Sequence, residues 1–304
     1  MTPLPRIPIG DVVADGVDWV KENLEGPLDA VAEFLSFLVE GLAGLLLLLP
    51  MLVTVAVFTL LAFVLRSWLF AIVTLVSMLL IGSMEMWEPA METLSLVLVA
   101  TVIALVIGIP VGILAARNDA VSAVVRPVLD FMQTMPGFVY LVPVVIFFGI
   151  GVAPGVFATI IFALAPGVRL TELAIRQVDK ETVEAGEAFG GTPGQILRGI
   201  QLPLGMPTIM AGVNQVIMLA LSMAVIAGLV GGGGLGDEVV QSIARIDVAQ
   251  GFEAGLAVVI LAIFLDRITS AIGQPTGRSL RDIVLRRRAE NHGRARRAVP
   301  AGAR

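Results

Sequence analysis

Residues 171–205 read TELAIRQVDKETVEAGEAFGGTPGQILRGIQLPLG. Apolar runs flank them on both sides, at 153–169 and 206–230. Most connections between elements are about 4–6 residues long, so a stretch of this length with its own pattern is a folded element. Thr171 to Gln177 continues the preceding helix. A new helix is expected from Thr182, whose hydroxyl suits an N-cap. Glu184 and Glu187 then fall in the first turns, where the helix dipole favours acids. Ala185, Ala188 and Phe189 give it an apolar face, and Gly190-Gly191 ends it. Thr192-Pro193 opens a second helix, with Thr192 as cap and Pro193 at the first helical position, where no N–H is needed. Gln195, three residues after Thr192, completes a capping-box pattern. Ile196, Leu197 and Ile200 form a second apolar face, which Leu202-Pro203 is expected to stop. The stretch therefore reads as two short helices meeting at a glycine corner. Such a knob either receives a push from a partner or packs on the bundle beside it.

Outward from this stretch, the chain is too apolar for water. Its 304 residues are 57% hydrophobic and 15% charged, with mean hydropathy +0.93. A soluble domain carries about 25% charged residues. Spans of about 20 apolar residues are expected at 42–65, 67–83, 91–116, 128–149, 153–169, 206–230 and 252–271. The predicted fold is all-α, a polytopic transmembrane helix bundle of about seven spans. Residues 1–41 form an amphipathic, acidic, extracytoplasmic segment, and 42–83 hold two additional spans. A core at 84–274 contains the loop 170–205, and 275–304 form a basic tail. The N-terminus lacks a basic region followed by an apolar run, so no cleavable leader is expected. With no cysteine and one histidine, His292, disulfides, thiol chemistry, a His metal cluster and a Ser-His-Asp triad are excluded.

Lys and Arg gather in cytoplasmic loops. With the N-terminus outside and seven spans, only Arg6, Lys21 and Arg245 of 20 basic residues fall outside. That arrangement places the 171–205 stretch and the C-terminus in the cytoplasm. Asp130, Arg169, Asp266 and Arg267 are expected at span ends, with no charge near a span's middle. A proton- or ion-coupled carrier keeps such groups on its pathway, so self-powered transport is disfavoured.

The stretch resembles the EAA motif of bacterial ABC importer permeases. Glu184, Ala185, Gly190, Ile200, Leu202 and Pro203 stand at the motif's spacing, and Gly186 departs from its usual alanine. Residues 126–151 (RPVLDFMQTMPGFVYLVPVVIFFGIG) and 201–236 (QLPLGMPTIMAGVNQVIMLALSMAVIAGLVGGGGLG) resemble permeases of glycine betaine and proline betaine importers. The likeness covers about residues 45–275. It implies the type I ABC importer permease core, used as a homodimer in a bacterial inner (cytoplasmic) membrane. It also implies a coupling helix that docks on a separate ATPase subunit, with Glu184, Ala185, Gly186, Phe189, Gly190, Ile200, Leu202 and Pro203 as coupling residues. An extracytoplasmic binding protein would deliver the solute, a quaternary-ammonium osmoprotectant. A same-fold permease for another small solute, such as an amino acid, is the alternative, and a channel without an ATPase a more distant one.

Other patterns point away from chemistry in this chain. Gly231, Gly233 and Gly236 fit G-x-G-x-x-G, but they follow a span instead of a strand. They read as a turn into a short helix from Asp237 to Ile246. Neither lysine, Lys21 nor Lys180, stands in a Walker A loop. No enzymatic activity and no cofactor are expected here, with ATP–Mg held by the partner ATPase. The length leaves no room for a fused binding domain, and nucleic acid is not an expected partner. Gly108–Gly112 and Gly251–Gly255 suit close helix approach. Asn214, Gln215, Ser222 and Met223 are candidates either for the translocation path or for hydrogen bonds between helices. Trp19, Trp68, Trp87 and Tyr140 form no obvious aromatic cage for a quaternary ammonium. The Arg-rich tail reads as a lipid anchor or as a sensor of ionic strength.

Overall fold

The computed structural model describes residues 9–273. His292, the basic tail 275–304 and the first eight residues lie outside them. Among the described residues every regular element is helical.

Helix α1 spans Ile9–Leu48, with Pro27 inside it and non-helical dihedrals at Leu24. A proline ring clashes with the carbonyl four residues earlier and removes an N–H, which bends the chain there. The expected boundary near residue 41 is absent, because α1 runs through it. The expected span 42–65 is instead broken at Pro50, which caps α2 (Met51–Leu65). Proline disfavours helical dihedrals in the residue before it, so α1 cannot continue past Leu49. Helix α3 (Trp68–Ser83) returns beside α2, capped by the Ser67 hydroxyl, which accepts from Phe70 N–H.

The core is formed by α4 (Trp87–Arg117), α7 (Val152–Arg176) and α10 (Leu202–Ala227), with α12 (Val248–Gly273) against α10. Between them, α5 (Asp119–Thr134) and the Gly137–Phe148 segment, which includes α6 (Leu141–Phe148), meet at 106°. The expected straight span 128–149 is therefore bent, because Met135 and Pro136 are extended. Helix α7 runs seven residues past the expected span limit at Arg169, as the helical continuation from Thr171 to Gln177 predicts. Then come α8 (Lys180–Ala188), α9 (Pro193–Ile196), a π-helical turn at Leu197–Gln201, α10 (Leu202–Ala227), α11 (Gly234–Arg245) and α12 (Val248–Gly273). Five helices are long and apolar enough to cross a membrane, or six with the bent pair. At 15 and 16 residues, α2 and α3 are shorter. The expected seven straight spans thus become five long helices, a bent pair and a short hairpin.

Small residues set the approach of α4, α7 and α10. A Cβ on Gly112 would lie 2.6 Å from the Val168 carbonyl oxygen and 2.7 Å from Thr171 Cβ. One on Gly212 would lie 3.0 Å from Leu170 Cβ, and one on Gly205 3.0 Å from the Ala174 carbonyl oxygen. Without a hydrophobic force between helices in lipid, close backbone contact supplies the packing. On the outside, α2 and α3 expose Leu52, Leu60, Trp68, Leu69 and Val76, the surface expected of helices solvated by lipid.

Candidate functional site

The knob between α7 and α10 is built from local backbone rules. Asp179 caps α8: its Oδ1 accepts from Glu181 N–H at 3.4 Å and its Oδ2 from the Thr182 hydroxyl at 3.3 Å. Asp179 therefore takes the capping role expected of Thr182, which lies in the first turn. The helix ends in a Schellman motif, with Gly190 N–H donating to Glu187 O at 2.8 Å and Gly191 N–H to Gly186 O at 3.1 Å. Gly190 has φ +80°, where a side chain costs about 1–2 kcal/mol. The Thr192–Gln195 capping box is formed in both directions. Pro203 does not stop the second helix. It stands in the first turn of α10, directly after the π turn, where Leu202 N–H bonds Leu197 O. The wider turn and the helix start together absorb the missing donor.

Helix α8 buries none of its residues. Glu184, Ala185, Ala188 and Phe189 face outward, and Phe189 is 92% exposed. Of the two readings of this knob, packing on the bundle does not describe α8, whose apolar residues face away from it. Behind α8, Ile196 and Leu197 are buried and Ile200 is half-buried. A Cβ on Gly186 would lie 2.6 Å from Ile200 Cδ1 and 3.6 Å from Ile196 Cγ1. The nearer atom is the mobile end of a side chain. Gly186→Ala is therefore expected to be tolerated after a rotamer change at Ile200, with transport-linked ATP hydrolysis within twofold of the parent. A large loss would show that the knob cannot yield at this contact.

One turn before the knob, a charged cluster joins three helices. Glu172 lies in the last turns of α7 with its side chain only 5% exposed. Its Oε1 accepts from Ser122 Oγ at 2.8 Å, from Arg126 Nη2 at 2.8 Å and from Arg176 Nε at 2.9 Å. Arg176 Nη2 also donates to Ala115 O at the end of α4 and to Asp119 Oδ1, both at 2.8 Å. Arg169 pairs with Asp130 beside them. Arg169, at the expected limit of the span, and Glu172 lie inside α7, which continues to Arg176. Sequence reasoning did not single out Glu172. Its i, i+4 spacing to Arg176 was a signal, but its bonds to α5 span 46 and 50 residues.

The four candidate path residues divide between two faces of α10. Gln215 and Ser222 are exposed, on a stripe with Ala211 and Met218. Met223 is fully buried, in a cluster with Tyr140, Leu141, Val144 and Ala158. Asn214 Nδ2 donates to Asp266 Oδ1 at 2.6 Å, and its Oδ1 accepts from Thr269 Oγ1 at 3.1 Å. Asp266 is expected at a span end, yet it lies within α12, paired to this amide. Asn214→Leu would take the amide from the half-buried Asp266 carboxylate, at about 1–3 kcal/mol, while Thr269 keeps its bond to Leu265 O. A lowered melting temperature in detergent is the expected result, and unchanged melting would show that the amide bond is dispensable.

Residues 108–276 match the family model described as "binding-protein-dependent transport system inner membrane component". The chain belongs to this family. As a transport permease, it is 46% identical to the glycine betaine transport system permease protein OpuAB of Bacillus subtilis, over 90% of this chain and 96% of that one. It is 47% identical to the glycine betaine/proline betaine permease ProW of Escherichia coli, over 88% of this chain and 76% of that one. Against the glycine betaine/carnitine permease GbuB of Listeria monocytogenes, identity is 44%, with 90% and 98% covered. The fold resembles inward-facing structures of the MetNI methionine ABC transporter, with TM-score 0.55 and 23% identity over 60% of this chain and 91% of that one. The fold class is thus that of type I ABC importer permeases. The permease is a multi-pass protein of the bacterial inner membrane.

The permease uses its glycine-rich turn structurally. Gly234 N–H donates to Glu92 Oε2 and Leu235 N–H to Thr93 Oγ1, both at 2.8 Å. These backbone donors face carboxylate and hydroxyl groups of the chain itself, so they are not free for a phosphate. Asp237 Oδ1 accepts from Gly233 N–H at 3.2 Å. Burial lifts the Asp237 carboxyl above its usual range, the Gly233 bond opposes this, and the neighbouring Glu238 charge adds to it. Among the described residues no group of His, Cys, Asp and Glu could hold a metal ion.

Proposed function

We propose that this permease is the translocating, non-catalytic subunit of an ATP-driven importer for glycine betaine, proline betaine or a related quaternary-ammonium osmoprotectant. Two copies line one path and pair with two separate ATPase subunits, which hold ATP–Mg. An extracytoplasmic binding protein delivers the solute. Phe189 carries the reading: a phenylalanine 92% exposed stands on a helix that buries nothing of its own. A large apolar side chain placed so, on a polar knob, marks a partner surface. Glu184, Ala185, Phe189 and Gly190 form its outer face, with Gly186, Ile200, Leu202 and Pro203 behind it as the support. Nucleotide-driven closure of the ATPase pair shifts the loop between two positions and with it the populations of two permease states.

The named solutes of the relatives support the substrate class. So does the neutral character of the Ala211–Gln215–Met218–Ser222 stripe, which suits a solute without net charge. The path assignment is kept for Gln215 and Ser222. Strong selection of the quaternary ammonium belongs to the binding protein, since the few Trp and Tyr residues of the sequence offer no obvious aromatic cage. The test is ATP-dependent uptake of glycine betaine into vesicles holding the permease, its ATPase and its binding protein. Choline, carnitine, proline betaine and proline serve as competitors. Competition by the quaternary compounds is expected. Competition by proline alone would move the substrate class to amino acids, and uptake without bound ATPase would defeat the importer reading.

A further inference from the structure

We infer that Glu172 is a positioning residue that ties the ATPase-facing knob to α5, so that motion of the knob reaches the bend at Pro136. This rests on the proposal that the knob receives the ATPase. The force must leave the knob through α7 or α10. Asp179, the cap of α8, lies three residues after Arg176, the last residue of α7. At that level α7 is bonded outward through Glu172 Oε1, which accepts from Ser122 and Arg126 of α5, and through Arg176, which steadies that oxygen and donates to Asp119 of α5. Arg176 carries the tie on to the end of α4 through Ala115 O.

Helix α5 has few other attachments. It buries only Ser122 and Leu129, and Leu129 packs with Ala165 and Val168 of α7. Val124, Val128 and Phe131 are exposed. A helix held this lightly follows α7 where it is pinned, at Glu172, at the Arg176–Asp119 pair and at the Arg169–Asp130 pair. The other end of α5 runs into the bend. There the Tyr140 hydroxyl donates to Met132 O, and a Cβ on Gly137 would lie 3.3 Å from Met223 Sδ. Met223 is the neighbour of Ser222 on the exposed stripe of α10. The pinned helix thus leads from the knob to the C-terminal part of α10. Glu172 is matched to its task by burial, since a charge-assisted bond out of water holds geometry better than one at the surface.

The test uses the transporter assembled with its ATPase and binding protein in vesicles, reading ATP hydrolysed per glycine betaine taken up. Glu172→Gln keeps the shape and removes the charge. Arg126→Gln removes one partner that is 59% exposed, so it stays informative if Glu172→Gln fails to fold. Both are expected to retain the ATPase on co-purification and to raise the ratio at least fivefold. Arg126→Lys, which keeps the charge, should stay within twofold of the parent. An unchanged ratio in Arg126→Gln, with both activities falling only as the folded amount falls, would overturn the inference. Failure of the parent to retain the ATPase would instead overturn the proposed function, so the two failures are read separately.

Discussion

Phe189→Glu is expected to cost the permease its ATPase partner while leaving the chain folded. The side chain is 92% exposed, so its removal withdraws almost no burial from the fold. On a docked surface a fully buried phenylalanine contributes about 1.5–3 kcal/mol, and aromatic hot spots exceed 2 kcal/mol. Each 1.4 kcal/mol is tenfold in affinity. Adding an unpaired carboxylate at the same place gives a loss of about two to three orders of magnitude. The measurement is retention of the ATPase subunit on the purified permease, with melting in detergent as the control. Full retention would show that Phe189 faces no ATPase. Loss of both retention and melting would show that the residue supports the fold.

Gly112→Leu is expected to give a large stability loss at the seam between α4 and α7. Even its first carbon would sit 2.6 Å from a backbone oxygen of α7. Backbone cannot rotate aside as the end of Ile200 can. Overpacking costs about 1–3 kcal/mol and occasionally more, and here the α4–α7 contact itself must open. Gly255 provides the contrast, since nothing lies within 4 Å of a Cβ there. Gly255→Ala should gain up to about 1 kcal/mol from helix propensity. Equal melting of the two variants would show that the seam is not tight.

Gly112 and Gly255 each end a glycine pair that reads alike in sequence, yet they differ in space, which marks the boundary of what a sequence holds. Rules acting within four or five residues were legible. The Thr192–Gln195 box, the Gly190 turn and the apolar spans all follow from neighbours along the chain. Thr182 was read as the cap because its hydroxyl precedes Glu184, yet Asp179 lies nearer the end of α7 and starts the turn first. Pro203 was read as a stop because the rule for proline assumes an established helix before it, and the π turn alters that premise. Pro50 and Pro136 were visible as prolines, but whether each bends, breaks or merely sits in a span depends on the helices around it. Glu172 was hidden for a different reason. Its partners are brought to it by the fold of α5 on α7, and no local pattern of residue types encodes a meeting across about fifty residues.

The π turn at Leu197–Gln201 has a geometric consequence for the whole knob. From Pro193 to Val230 the chain is one helical shaft, and in such a shaft each residue advances about 100° around the axis. The widened turn acts as an angular offset inserted once, below α10. It fixes the compass direction in which the Phe189 corner points relative to the Gln215–Ser222 stripe above it. The knob and the stripe are therefore parts keyed on a common axle, and their relative azimuth is set by the five residues that lie between them in the chain.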